Sequence, residues 1–189
     1  MKLLFFTRLL GAAAVTVALA GCGGGSDPVA TSSPPPPPPP PPPINVAAVL
    51  AQLEGSGAIP KLDRTTSLSG PDSNGNGVRD DIDAYIQSKF TNLTQRQAAA
   101  QTAKALQSTL TVDAANKDAT TAVSQSMTNA THCLYSRFAD VQGANSPGAV
   151  SRDLEAMTAN TKARLKAYLA YNSARDGTTS SLPKGDTCE

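Results

Sequence analysis

The sequence predicts an all-α fold, a small bundle of about four to five helices, on three observations. Apolar residues recur at steps of three and four along most of residues 45–175, the spacing that lines up one face of a helix. No stretch shows the two-residue alternation of a half-buried strand. Start and stop residues, such as Asn45, Gly55, Pro147 and Gly177, fall at the ends of the periodic runs.

The first helix is expected from the N-cap Asn45 to the stop at Gly55, with Val46, Val49, Leu50 and Leu53 on one face. Pro60, Gly70 and Pro71 break all periodicity, so a loop follows. Ile82, Tyr85, Ile86 and Phe90 form the apolar face of a second helix. A third begins at a capping box of Thr94 and Gln97 and carries Ala99, Ala103, Leu106 and Leu110. A long helix is expected from about Asp113 to Phe138, lined by Ala119, Val123, Met127, Ala130, Leu134 and Phe138. The last starts at Ser146, with Pro147 at a position where a missing N–H does no harm. Its face, Val150, Leu154, Met157, Thr161, Leu165 and Tyr168, runs on to about Arg175, and Gly177 ends it. These faces are rich in Ala, Thr and Ser. At about 25 cal/mol per Å² of buried apolar surface, such small side chains make a thin core, for which staples matter.

Three stretches frame this body: 1–21 as a signal peptide, 22–43 as a linker, and 44–189 as one helical domain. Lys2 and Arg8 precede the apolar run from Leu9 to Ala20, shorter than the roughly 20 residues a membrane span needs and laid out as a secretory signal. The run closes on Leu19-Ala20-Gly21-Cys22, which resembles the lipobox of bacterial lipoproteins. The resemblance implies cleavage before Cys22 by signal peptidase II and lipidation of Cys22. A multiply acylated Cys22 would anchor the chain durably, where one acyl chain would not. By the sorting rule of the enterobacterial lipoproteins, Gly23 in place of Asp favours the outer membrane over the inner. The alternative is an ordinary secretory peptide with an incidental Cys. Gly23–Ser33 reads as flexible, and Pro34–Pro43 is an unbroken run of ten prolines. A polyproline helix rises about 3.1 Å per residue, so the run is a stiff spacer of roughly 30 Å. A ligand for a proline-reading domain is the alternative.

Without residues 1–21 the formal charge is −1, with no basic cluster, which argues against a nucleic-acid partner. The body has no Trp and six aromatic residues in all, a poor supply for an aromatic-lined cleft. With Cys22 lipidated, Cys133 and Cys188 remain and are expected to pair in an oxidising compartment. Metal ligation by the two thiols is the weaker alternative, as neither has a His or Cys partner at metal-ligand spacing.

The sharpest chemical motif is the 12-residue stretch Asp72–Asp83. Counting Asp72 as position 1 places Asn74 at 3, Asn76 at 5, Gly77 at 6, Val78 at 7, Asp80 at 9 and Asp83 at 12. A calcium loop draws its oxygens from positions 1, 3, 5, 7 through the main-chain carbonyl, 9 and 12, with Gly at 6 for the sharp turn. Asp83 falls in the first turn of the helix that follows, where the helix dipole also favours a carboxylate. The stretch resembles the EF-hand-like loops of thrombospondin type 3 repeats and dockerins. It departs from a full EF-hand in having Asp83 where a bidentate Glu stands, no helix before the loop and no second copy. The ligand set implied is Asp72, Asn74, Asn76, Val78, Asp80 and Asp83, with Ca2+ bound weakly, at a Kd of about 0.1–1 mM. A polar turn ahead of an acidic helix start is the alternative.

No catalytic residues are expected, and the chain is read as a non-enzyme. His132 adjoins Cys133, but neighbours on a helix point in different directions, and a Cys–His nucleophile would need Cys133 unbridged. Asp80, Asp81 and Asp83 are clustered as a cation site would have them, not set across a cleft as paired glycosidase acids are. The expectation is therefore a lipid-anchored envelope protein with a calcium-stabilised helical domain. Its role would be structural or interactive, with the membrane and an unidentified envelope protein as partners. The alternative is a periplasmic enzyme or enzyme accessory.

Overall fold

The computed structural model describes residues 43–189; the lipobox, Cys22 and all of the linker before Pro43 lie outside them. The described residues contain six α-helices and no strand: α1 (Val46–Gly55), α2 (Asp80–Lys89), α3 (Leu93–Thr111), α4 (Lys117–Arg137), α5 (Pro147–Thr158) and α6 (Lys162–Ala174). A single 3-10 turn, Gly143–Asn145, leads into α5.

Helix α3 is the hub and packs against α2, α4, α5 and α6. Its small side chains explain this. Ala98, Ala99, Ala103 and Ala105 are all buried, on more than one face, so neighbouring helices can close in on several sides. Larger residues fill the space between: Ile82, Ile86 and Phe90 from α2 and its end, Leu106 from α3, Leu134 and Phe138 from α4 and its end, and Val150 and Leu154 from α5. Phe90 and Phe138 meet edge to face with centroids 5.3 Å apart, a favoured aromatic geometry.

Three boundaries differ from the sequence expectation. Helix α3 is capped by Asn92, not Thr94: the Asn92 side chain accepts from the N–H groups of Thr94 and Gln95. Helix α4 begins four residues after Asp113, because Asn116 caps it through the N–H groups of Asp118 and Ala119. The expected last helix is two, which raises the count to six. The chain breaks at Ala159–Thr161, where Thr161 accepts from the Arg164 N–H and opens α6. Asn160, at the break, donates to the Asp63 carbonyl. The break changes the phase of the buried face. Leu165, expected in the core, is 45% exposed, and the buried residues of α6 are Arg164 and Tyr171.

Helix α1 has no buried residue. Its C-terminal end is tied to the body by Glu54, which accepts from the Leu62 N–H and pairs with Arg64. The expected bridge is present: the sulfurs of Cys133 and Cys188 are bonded at 2.04 Å. It holds the tail against α3 and α4, with Gln101 donating to the Thr187 carbonyl and accepting from the Glu189 N–H.

Candidate metal centre

Loop 72–83 curls on its own polar side chains. The two Asp72 oxygens accept from the N–H groups of Asn76 and Gly77 at 3.2 and 2.9 Å. Asn74 accepts from the Asn76 N–H, and Asn76 from the Val78 N–H. Each is a side chain closing a turn over its own backbone two residues on. The curl requires a left-handed residue at Gly77, whose φ is +83°. A Cβ there would lie 3.2 Å from Lys104 Cγ.

Asp83 completes the ring from the first turn of α2. Its Oδ2 accepts from the side-chain amides of Asn74 and Asn76 at 3.1 and 2.6 Å. The structure thus brings Asp72, Asn74, Asn76 and Asp83 together. It does not bring Asp80 to them by any hydrogen bond. The Asp80 carboxylate accepts from the Ser73 N–H and hydroxyl at 2.8 and 2.7 Å. These bonds, the hydroxyl's first, hold its carboxyl below the usual range. The Asp80 N–H in turn donates to the Pro71 carbonyl and ties the start of the loop to the start of α2. Val78 turns its side chain into the core, 1% exposed.

Among the described residues, no three His, Cys, Asp or Glu side chains cluster as metal ligands. The donors gathered in this loop are two carboxylates and two amides, with the Val78 carbonyl between them in sequence. That all-oxygen chemistry fits a hard, oxygen-seeking cation and offers nothing to a metal that wants nitrogen or sulfur.

Two buried arginines, which the sequence reading missed, stand directly behind the loop. Arg79 and Arg164 are both 0% exposed. Arg79 donates to both oxygens of Asp81, at 2.5 and 2.9 Å, and to the Met157 carbonyl at 2.9 Å. Met157 lies in the last turn of α5, where carbonyls lack helical partners and a cation is favoured. Arg164 donates to the carbonyls of Asp63, Ser67 and Leu68 and to the Asp63 carboxylate. Asp81 in turn accepts from the Asp63 N–H at 2.6 Å. Burial pushes the Asp63 carboxyl up, but the bonds from Arg164 and Thr65 outweigh it and leave it lowered. Two fully buried cations and two part-buried anions therefore neutralise one another at the edge of the core. Each has several hydrogen bonds, which a buried charge needs.

This cluster explains how residues 56–79 hold one conformation without helix or strand. A loop over about 15 residues long needs outside partners for its backbone. Gln107 supplies one more, to the Ser69 carbonyl. Gly70 packs against both arginines. Its φ is +68°, and a Cβ would lie 2.4 Å from Arg79 Cδ.

His132 is half-buried and has a structural partner. The Thr187 hydroxyl spends its one hydrogen on the Asn129 carbonyl at 2.8 Å. His132 Nδ1, 3.1 Å from that oxygen, must then be the donor. The tail also reaches the loop: Asn76, Val78, Gln101, Lys104 and Glu189 line one depression of about 200 Å³. No protein-family model matches this chain, no curated protein matches it in sequence, and no solved structure matches it in fold.

Proposed function

We propose that this is a lipid-anchored cell-envelope protein whose helical domain is stabilised by a weakly held calcium ion in loop 72–83, and that its role is structural or interactive. The observation that carries the calcium reading is the convergence of Asp72, Asn74, Asn76 and Asp83 around the left-handed Gly77. Asp72 and Asp83 supply the negative charge, Asn74 and Asn76 neutral oxygens, and the Val78 carbonyl a main-chain oxygen. With Asp80 engaged by Ser73, two carboxylates remain to face the ion. Fewer ligand charges mean weaker binding, in the extracellular range of about 0.1–1 mM. The anchoring half rests on Leu19–Cys22 and the proline run Pro34–Pro43, with the outer membrane as the favoured location.

A ligand that binds the folded state alone adds RT ln(1 + [L]/Kd) to its stability. At 5 mM calcium and a Kd of about 0.1–1 mM this is about 1–2.3 kcal/mol. An unfolding entropy of about 2.1 cal/mol/K per residue, about 0.3 kcal/mol/K for residues 44–189, makes that a rise in Tm of about 3–8 °C. Asp72→Ala abolishes the rise. A melting curve indifferent to calcium, with no heat of binding on titration, would overturn the calcium reading. For the anchor, Cys22→Ser is expected to move the chain from the membrane to the soluble fraction, and continued membrane fractionation would count against lipidation.

A further inference from the structure

The buried ionic cluster joins the proposed calcium loop to a part of the fold remote from it in sequence. Arg79 and Asp81 lie inside the 72–83 stretch, between Val78 and Asp83. Their side chains leave the loop and run inward, Arg79 to the Met157 carbonyl and Asp81 to the Asp63 N–H. From Asp63 the cluster continues to Arg164 and Asn160, so that the α5–α6 corner and residues 63–68 are held by the same few groups. Interior charges of this kind have few intermediate arrangements. Moving one partner strands the others in low dielectric, so the cluster forms or is lost largely as a whole.

We propose that Arg79 makes loop 72–83, residues 59–71 and the α5–α6 corner one cooperative unit, so that a cation bound in the loop orders all three. This rests on the calcium reading above. One consequence concerns a groove of about 440 Å³ lined by Ile59, Pro60, Leu62, Tyr85 and Met157. Leu62 precedes Asp63 in the chain and Met157 lends its carbonyl to Arg79, so two walls of the groove hang on the cluster. Its shape follows the occupancy of the loop.

Hydrogen–deuterium exchange on the full chain in detergent, in 5 mM calcium against EGTA, tests the proposal. Amides exposed only by opening of the ion-free unit should slow by the factor 1 + [L]/Kd, about 6- to 50-fold. The slowing is expected in 72–83, 59–71 and 157–164 alike, and not in α1. Slowing confined to 72–83 overturns the coupling and leaves the calcium reading intact. Slowing spread evenly over every helix, α3 and α1 included, also overturns it, since no local unit then exists. Absence of slowing together with absence of calorimetric binding overturns the calcium reading itself. In Arg79→Met, calcium should still bind but protect the loop alone. Arg79→Lys keeps the charge and cannot make the paired contact with Asp81, and it should give the same result if Arg79→Met does not fold.

Discussion

Replacing Gly70 by Ala sets a single methyl group against the buried arginines. The added Cβ would stand 2.4 Å from Arg79 Cδ, 2.9 Å from Cγ and 3.0 Å from Arg164 Nη2. Relief to an ordinary carbon–carbon contact of about 3.5 Å needs a shift of about 1 Å. Arg79 cannot move so far and keep both Asp81, at 2.5 Å, and the Met157 carbonyl, at 2.9 Å. Loss of one hydrogen bond to a charged group costs about 1.5–3 kcal/mol, and a left-handed Ala adds about 1–2 kcal/mol. The total is about 2.5–5 kcal/mol, or a fall in Tm of about 8–16 °C for a domain of this length. Gly143→Ala is the matched control: φ is +70°, and a Cβ there meets nothing within 4 Å. It should carry the backbone cost alone, about 3–6 °C. Thermal melts by circular dichroism in EGTA, which removes any cation contribution, compare the two. Equal losses within about 2 °C would refute the claim that the arginines are rigidly placed.

Three further outcomes follow from the structure. Reduction of Cys133–Cys188, which closes a loop of 55 residues, should destabilise the body by up to about 4 kcal/mol; identical melts with and without reductant would contradict it. Asp63 has its carboxyl lowered in the folded state. Its contribution is therefore complete above the unfolded value of 3.8 and lost as pH falls below it, so Tm should drop below about pH 4 with a shallower slope in Asp63→Asn. Leu165→Gln, at a position 45% exposed, should change stability by about 0.5 kcal/mol or less, whereas Leu154→Ala, fully buried, should cost about 2–5 kcal/mol; a large loss at Leu165 would restore it to the core.

Periodicity made much of the helical body legible. Ile82, Ile86 and Phe90, and Ala99, Ala103, Leu106 and Leu110, are buried as their spacing predicts, because each set shares a face whatever the partner. The same spacing misled at 159–161. The apolar steps run on through Thr161 to Leu165 as though unbroken, and the break depends on Asn160 finding Asp63, 97 residues away. Arg79 and Arg164 were illegible for the same reason. In a sequence each reads as a solvated charge, and their carbonyl partners lie 78 to 101 residues distant. One signal was present. A stretch of more than 20 residues without helix or strand must satisfy its backbone from elsewhere, and long cationic side chains are the donors with reach. In loop 72–83, the register of Asp72, Asn74, Asn76 and Asp83 was readable because all four act locally. The turning of Asp80 to Ser73 was not, because position alone does not say which of two nearby oxygen-seeking groups a carboxylate will serve.

The bridge from Cys133 to Cys188 also changes what a broken peptide bond means here. It makes residues 133–188 a closed covalent ring that contains α5 and α6 whole. A protease that nicks the exposed stretch 142–145 between α4 and α5, or the tail at 178–182, opens the ring without dividing the molecule. Both pieces stay joined through sulfur, and after a nick at 142–145 the piece bearing Arg164 stays bonded to the piece bearing Arg79. A nick in residues 56–71 has no such insurance, because the ring does not extend to them. A cut at 56–61, ahead of the segment that hangs on the arginines, would leave α1 with no covalent tie to the body and only the contacts of Glu54 with Leu62 and Arg64.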